Sequence, residues 1–354
     1  MSEVYYSSIF SELTKQVQAR IDAASELRKR LFDQNVYERF LEWDTPMVGF
    51  NFEEIIGSYN LSVAAATLDS KGKEPIIGSE GLATIAKKVL IHQMTLPMPI
   101  EDYRKVLQLL DSRMISDQAK KQQLVNLMWG GVERVVESVQ AKIDIIFLGA
   151  LSNKGVFSFT RENNPEGGVR GNIDYGMPQE NIATADTRWT EGNINTVDVF
   201  EDIQGVVDAA QEKVTFDRIL LDQKRLSYIL RSKKMKQVIF GTDKSSSPLL
   251  LANLNEFMRS NGLPVFEVIR RMTRIQDNGK IREYKPWNDK SLVFVPEGRP
   301  EPGVAYSNYG RIRISQWGKG ETDNSNGVEF TKAQSISLPV ITEINGIYSL
   351  SVEL

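Results

Sequence analysis

Between Asp117 and Leu148, apolar residues recur at Leu124, Leu127, Met128, Val132, Val135, Val136, Val139, Ile143, Ile146 and Phe147. This three-and-four spacing places one stripe on one face of a helix. Ser116 or Asp117 can cap its start and Gly149 can end it. At 1.5 Å per residue the helix would run roughly 45 Å, against a usual length of about 11 residues. The stretch therefore predicts a spine on which other elements are laid. A coiled-coil arm is the alternative, but Gly130-Gly131 interrupts the repeat and the heptads are too few to sustain one.

A chain of 354 residues can bury a large core and suits two or three lobes better than one. No run of about 18 apolar residues is present for a membrane span. The start, MSEVYYSSIF, lacks the basic-then-apolar pattern of a signal peptide. With no cysteine there is neither a disulfide framework nor a thiolate metal site, and an intracellular origin is the natural reading. The net charge of −3 is unevenly spread. Glu162 to Glu212 holds eleven acidic and two basic side chains, a balance of −9, whereas Gln223 to Lys285 holds fourteen basic and five acidic, a balance of +9. Such blocks pair either within the chain or between copies of it.

Residues 1 to 50 read as a helical, loosely tethered arm. Leu13, Val17, Ile21, Ala24 and Leu27 form a thin stripe that needs another surface to lie on. Leu61–Thr67 and Ala83–Ile91 read as two strands of a long projecting hairpin, too weakly apolar to bury itself. Pro97 and Pro99 stop the second strand, and a short helix over Ile100–Leu110 precedes the spine. After the spine, strands are expected over Lys154–Thr160 and Val169–Tyr175, joined by the turn cluster Asn163–Gly168. A helix is expected over Val197–Gln211. A small α/β lobe then reads as strand Phe216–Leu221, helix Gln223–Arg231, helix Leu249–Ser260 ended by Asn261-Gly262, strand Val265–Ile275, an Asn278-Gly279 hairpin turn and the buried strand Leu292–Val295. The apolar chain end, Ser335–Leu354, is best explained as strands completing a sheet begun far upstream.

Chemistry is sparsely signalled. The sole imidazole, His92, sits in a strand without a Ser or Cys partner nearby, so a structural role outweighs a catalytic one. Nucleophile-elbow, HExxH and P-loop patterns are missing. Gly167-Gly168 and Gly318-Lys319-Gly320 do not follow a strand and open a helix, so they do not read as phosphate cradles. Neither a cofactor nor a metal is indicated. Lys233-Lys234-Met235-Lys236 with Arg270-Arg271 and Arg274 could face nucleic acid, yet aromatics that could stack on bases are few there. Subunit pairing or solvation explains these cations better.

Lys154-Gly155, then Ile173-Asp174-Tyr175-Gly176, Glu180–Thr184, Trp189 and Val197–Ile203 resemble the segment after the spine helix in the lambda-type major capsid proteins of tailed phages. Phe216–Asp222, the Asn278-Gly279 hairpin, Trp287–Val295 and Ser335–Leu354 continue the resemblance in order and spacing over most of the chain. It implies an α+β, Hong Kong 97-like capsid fold. The expected parts are an N-terminal arm (1–49), an extended loop (50–98), a spine-helix peripheral domain (99–195, completed by 311–354) and an axial domain (196–310). It also implies a shell subunit without catalytic residues, forming hexamers and pentamers around double-stranded DNA. Scaffolding, portal and, in some relatives, decoration proteins would be its partners. The expected location is the virion capsid, assembled in the host cytoplasm.

No long charged helical extension resembles a fused scaffold, so a separate scaffolding protein is expected. No Lys and Asn match the cross-linking pair of some relatives. Rings arise from head-to-tail interfaces between unlike surfaces, which the two charge blocks could supply. Lys233, Lys234, Lys236, Arg270 and Arg271 are thus expected to face Glu180, Glu191, Glu201 and Asp202 of a neighbour, with Lys71 and Lys73 as further contacts in the extended loop. The alternatives are an encapsulin-type compartment shell of the same fold and, further off, an α/β enzyme.

Overall fold

The computed structural model describes residues 3–6, 35–43, 90–97, 117–166, 171–242, 247–277, 279–296, 310–323, 330–341 and 344–353, with helical positions at 101, 104–105, 108 and 111. In chain order the elements are β1 (Glu3–Tyr6), β2 (Leu41–Trp43), β3 (Ile91–Pro97), α1 (Asp117–Ser152), β4 (Val156–Phe159), β5 (Gly171–Asp174), β6 (Ile182–Thr184) and α2 (Val199–Ala210). They continue with β7 (Phe216–Leu221), α3 (Gln223–Arg231), α4 (Lys233–Phe240), α5 (Leu251–Ser260), β8 (Val265–Val268), β9 (Thr273–Asp277), β10 (Lys280–Tyr284), β11 (Ser291–Pro296), β12 (Gly310–Asp323), β13 (Phe330–Val340) and β14 (Tyr348–Ser351).

The spine is α1, 36 residues long, or about 54 Å at the usual rise. Val135, Val139, Ile143, Ile146 and Phe147 are buried as the stripe requires. From Ile143 to Ser152, however, every residue is buried. A helix enclosed on all sides has no solvent face to keep polar, and here β13, β3, β4 and β11 all pack on it.

Gly149 does not end the helix. The helix runs on to Ser152 and the chain turns at Lys154 (φ 58°) and Gly155 (φ 77°), where the Gly155 N–H donates to the Ala150 carbonyl at 3.0 Å. Gly149 instead lets Phe157 approach: a Cβ there would lie 2.6 Å from its ring. Gly149→Ala is therefore expected to lower stability by about 1 kcal/mol, because overpacking of about 1–3 kcal/mol outweighs a helix-propensity gain of about 1 kcal/mol. Chemical denaturation of the two proteins measures this.

Two five-stranded sheets flank the buried end of α1. In the first, β1-β12-β13-β3 run side by side and β2 also pairs with β12. β12 and β13 are antiparallel, while β1 and β2 lie parallel to β12 at opposite ends of its length. In the second the order is β6-β14-β11-β7-β8. Its central strand β11 is buried on both faces: Val293 and Val295 join the core around α1, whereas Leu292 and Phe294 join a second core under α2–α5. This is why β11 reads as an unbroken apolar run rather than an alternating one. β4–β5 and β9–β10 form two-stranded hairpins.

Several expectations change. Val265–Ile275 is not one strand: the chain leaves the second sheet after β8, and Ile269–Met272 carries it into the β9–β10 hairpin. The basic run at Lys233 opens a helix, α4, that periodicity did not suggest. It is possible because Ser232 ends α3 with its N–H on the Tyr228 carbonyl (2.9 Å) and starts α4 with its Oγ accepting from Met235 N–H (3.3 Å). Within the first 50 residues, Glu3–Tyr6 and Leu41–Trp43 are strands rather than helix, each drawn to the open edge of β12. The expected helix at 11–32, the strand at 61–67 and most of the strand at 83–91 lie outside the described residues, as does Asn278. The apolar chain end divides: β13 enters the first sheet and β14 the second. The second sheet thus takes β6 and β14 from outside the 196–310 range expected for the axial domain.

Candidate subunit-contact surfaces

The charged residues singled out by sequence lie mostly on the lobe built on the second sheet. Asp198 caps α2, accepting from Glu201 N–H at 3.2 Å. Asp222 caps α3, accepting from Lys224 N–H (2.9 Å) and Arg225 N–H (3.0 Å). These caps favour helices here because they satisfy first-turn donors.

Several of these residues take partners inside the chain other than those expected of them. Lys234 Nζ reaches Asp198 at 3.3 Å, Glu180 pairs with Lys213 at 2.7 Å and Glu191 with Arg231 at 3.2 Å. Asp202 accepts from Trp189 Nε1–H at 2.7 Å. Burial pushes its carboxyl up, the Trp189 bond pulls it back, and the nearby carboxylates of Asp186 and Asp198 push it further up. Arg270 Nε–H donates to Gln223 Oε1 at 3.1 Å. Arg271 is turned inward and ion-pairs at 2.7 Å with Asp144 of α1, a carboxylate with no exposed surface. Of the residues singled out by sequence, Lys233, Lys236, Arg270, Glu201 and Asp202 make no ion pair among the described residues. Lys233 and Glu201 are also exposed. Lys71 and Lys73 lie outside the described residues.

Beside these cations, Val238 (42% exposed) stands out on α4. A second raised surface is the β9–β10 hairpin. Its cross-strand pairs Gln276–Ile281 and Arg274–Glu283 share the outer face, where Ile281 is 69% exposed. The opposite face carries Ile275 into the core.

Two groups of buried polar residues escaped the sequence reading. Arg225, with no exposed side-chain surface, donates Nη1–H to the Trp189 carbonyl at 2.7 Å, Nε–H to the Asp289 carbonyl, and Nη2–H to Glu353. It ties α3 to the loop after β6, to the start of β11 and to the end of the chain. Asp144 was visible in retrospect as a lone carboxylate within the apolar run Ile143–Leu148. Among the described residues no group of His, Cys, Asp and Glu could hold a metal ion, and no helix is long and apolar enough to cross a membrane.

A long spine helix, a broad sheet whose edge receives two N-terminal strands and a second sheet under α2–α5 define a mixed α+β protein. The chain belongs to the phage major capsid protein E family, whose model matches residues 91–352. It is therefore a capsid shell protein of the tailed-phage type. No curated protein matches it. Among solved structures it is similar to a protein described as a prophage capsid protein from E. coli CFT073 (14% identity, 75% of this chain and 78% of that one, TM-score 0.44). It is also similar to a phage-related protein from Bordetella bronchiseptica RB50 (10%, 89% and 90%, 0.43) and to the capsid of Myoviridae phage XM1 (10%, 88% and 95%, 0.37). These distant likenesses carry no part of the assignment, which rests on the family match.

Proposed function

We propose that this chain builds hexamers and pentamers of an icosahedral shell that encloses double-stranded DNA. The observation that carries this reading is the family match across residues 91–352. Its role is structural rather than catalytic. Separate scaffolding and portal proteins, and a decoration protein where the shell has one, are its partners, and assembly takes place in the host cytoplasm. The DNA is held without sequence-specific contacts. The working division is an arm (1–49), an extended loop (50–98), a peripheral domain on α1 and the first sheet, and an axial domain on the second sheet with α2–α5.

Co-expression with its scaffolding and portal proteins, followed by negative-stain microscopy, tests the proposal. Closed heads are expected only when the scaffolding protein is present. Small shells closing unaided would favour a compartment protein, and a persistent small oligomer would sink the shell reading.

Since Lys234 and Arg271 are engaged internally by acids, the cations of this set left for a neighbour are Lys233, Lys236 and Arg270, with Glu201 as the matching acid. The double variant Lys233→Glu/Lys236→Glu is expected to assemble less than the parent at low salt, with the gap closing at high salt as screening sets in. Light scattering during assembly reads this. Identical curves for both proteins at both salts would rule out the contact.

A further inference from the structure

Residues 35–43 stand in sequence between the expected arm helix (11–32) and the expected extended loop (50–98). They are held from two sides. Toward α1, Asn35 Nδ2–H donates to Gln140 Oε1 at 3.0 Å, and the backbone N–H groups of Tyr37 and Val36 donate to the Asp144 carboxylate at 2.9 and 3.3 Å. Phe40 packs on Phe147 with ring centroids 5.9 Å apart. Toward the lobe of the second sheet, Arg271 Nη2–H donates to Asn35 Oδ1 at 3.0 Å, and Arg39 pairs with Glu267, which also accepts from Arg218 Nη1–H at 3.0 Å. The Arg271–Asp144 ion pair then joins the two sides directly.

Asn35, Gln140, Asp144 and Arg271 thus close a ring across three distant parts of the chain. Apolar burial alone is non-directional and lets packed surfaces slide. The Arg271 Nη2–H bond to Asn35 and the two backbone N–H bonds to the Asp144 carboxylate are directional and restrict the geometry. A buried ion pair contributes little net stability compared with apolar residues of the same shape, so its value here lies in orientation.

We infer that Asp144 and Arg271 are positioning residues for assembly. They pin residues 35–43, the stretch of sequence between the expected arm helix and the expected extended loop, to α1 and to the second-sheet lobe at once. The purpose rests on the shell-subunit reading, but the pin belongs to the single chain and is tested there.

Amide hydrogen exchange is followed on the full-length, unassembled protein, comparing the parent with Arg271→Ala and Arg271→Lys. In Arg271→Ala the peptides covering 35–43 are expected to exchange at least tenfold faster while those of α2 and α5 keep the parent rate. Arg271→Lys should recover part of the loss. Unchanged exchange at 35–43, or a proportionate rise across α2 and α5, would overturn the inference. Should Arg271→Ala fail to fold, Asn35→Ala, which leaves the Asp144–Arg271 pair intact, is judged by the same comparison. A chain that shows the selective effect yet never assembles would refute the shell reading and leave the pin standing.

Discussion

Replacing Arg225 with alanine is expected to lower the folding stability by about 3–5 kcal/mol, because a buried charged network loses the member that joins it. The guanidinium satisfies the Trp189 and Asp289 carbonyls and the Glu353 carboxylate together. The hydrogen bond from Arg225, with burial opposing, holds Glu353 below the usual carboxylate range. Removing the side chain leaves two carbonyls without donors and opens a cavity beside Trp189, itself fully buried. Lysine cannot replace it, since an ammonium on a flexible stem does not reproduce three donors set in one plane. Arg225→Lys should therefore recover only a minor part of the loss. Urea denaturation of the two variants measures both effects, and a double-mutant cycle with Glu353→Gln isolates the share carried by the chain end. A loss below about 1 kcal/mol for Arg225→Ala, the range of an exposed pair, would show that the network is dispensable.

Acid is expected to weaken the fold through His92. Its ring is buried in β3, and its Nε2–H donates to the Ser337 carbonyl of β13 at 3.1 Å. Burial, aided by the charge of Lys142 and opposed by the Ser337 carbonyl, lowers its pKa to about 4. Above pH 6.5 both folded and unfolded chains hold a neutral ring, and the fold loses nothing. Between 6.5 and about 4 the unfolded chain takes up a proton that the folded chain refuses, so stability falls as pH falls. Below about 4 both are protonated and this contribution levels off. The full difference amounts to about 3 kcal/mol. As His92 is the chain's single histidine, no other imidazole contributes. Stability of the parent and of His92→Gln, measured from pH 7 to pH 4, should diverge in slope across that window. Parallel curves would mean that the ring stays accessible to protons.

The regular elements were legible because their signals are local. The strand Phe216–Leu221 and the helix Gln223–Arg231 were read to the residue, since Asp222 marks the boundary both by ending an apolar run and by capping a helix. Gly262 stands with positive φ just past α5, as a residue in that place should. Gly149 misled, because a glycine near a helix end looks the same whether it terminates the helix or admits Phe157. The break between β8 and β9 was invisible for a related reason: Ile269 is as apolar as its neighbours, and only the turn toward Asp144 takes Arg271 out of the strand.

Charges were the least legible. Opposed blocks of −9 and +9 were apparent by counting, and so was the choice between internal and external pairing. Distance decides the pairs within the chain: the lobe folds Lys234 onto Asp198 and Arg231 onto Glu191 across the two blocks, and Lys213, which lies between them, onto Glu180. Glu180 and Lys213 are 33 residues apart, and Arg271 and Asn35 236 apart. Such pairs leave no trace in spacing.

The order of residues by itself determined the spine, the α/β lobe, the strand-rich chain end and the family to which all three belong, because periodicity, caps and turns act over a few neighbouring positions. Only the tertiary structure decided which strands share a sheet, that Arg225 and Asp144 are internal anchors, and which of the cations are paired within the chain. Those outcomes follow from burial and from contacts between segments far apart along the chain, where desolvation turns an ordinary Arg or Asp into a group that must be partnered.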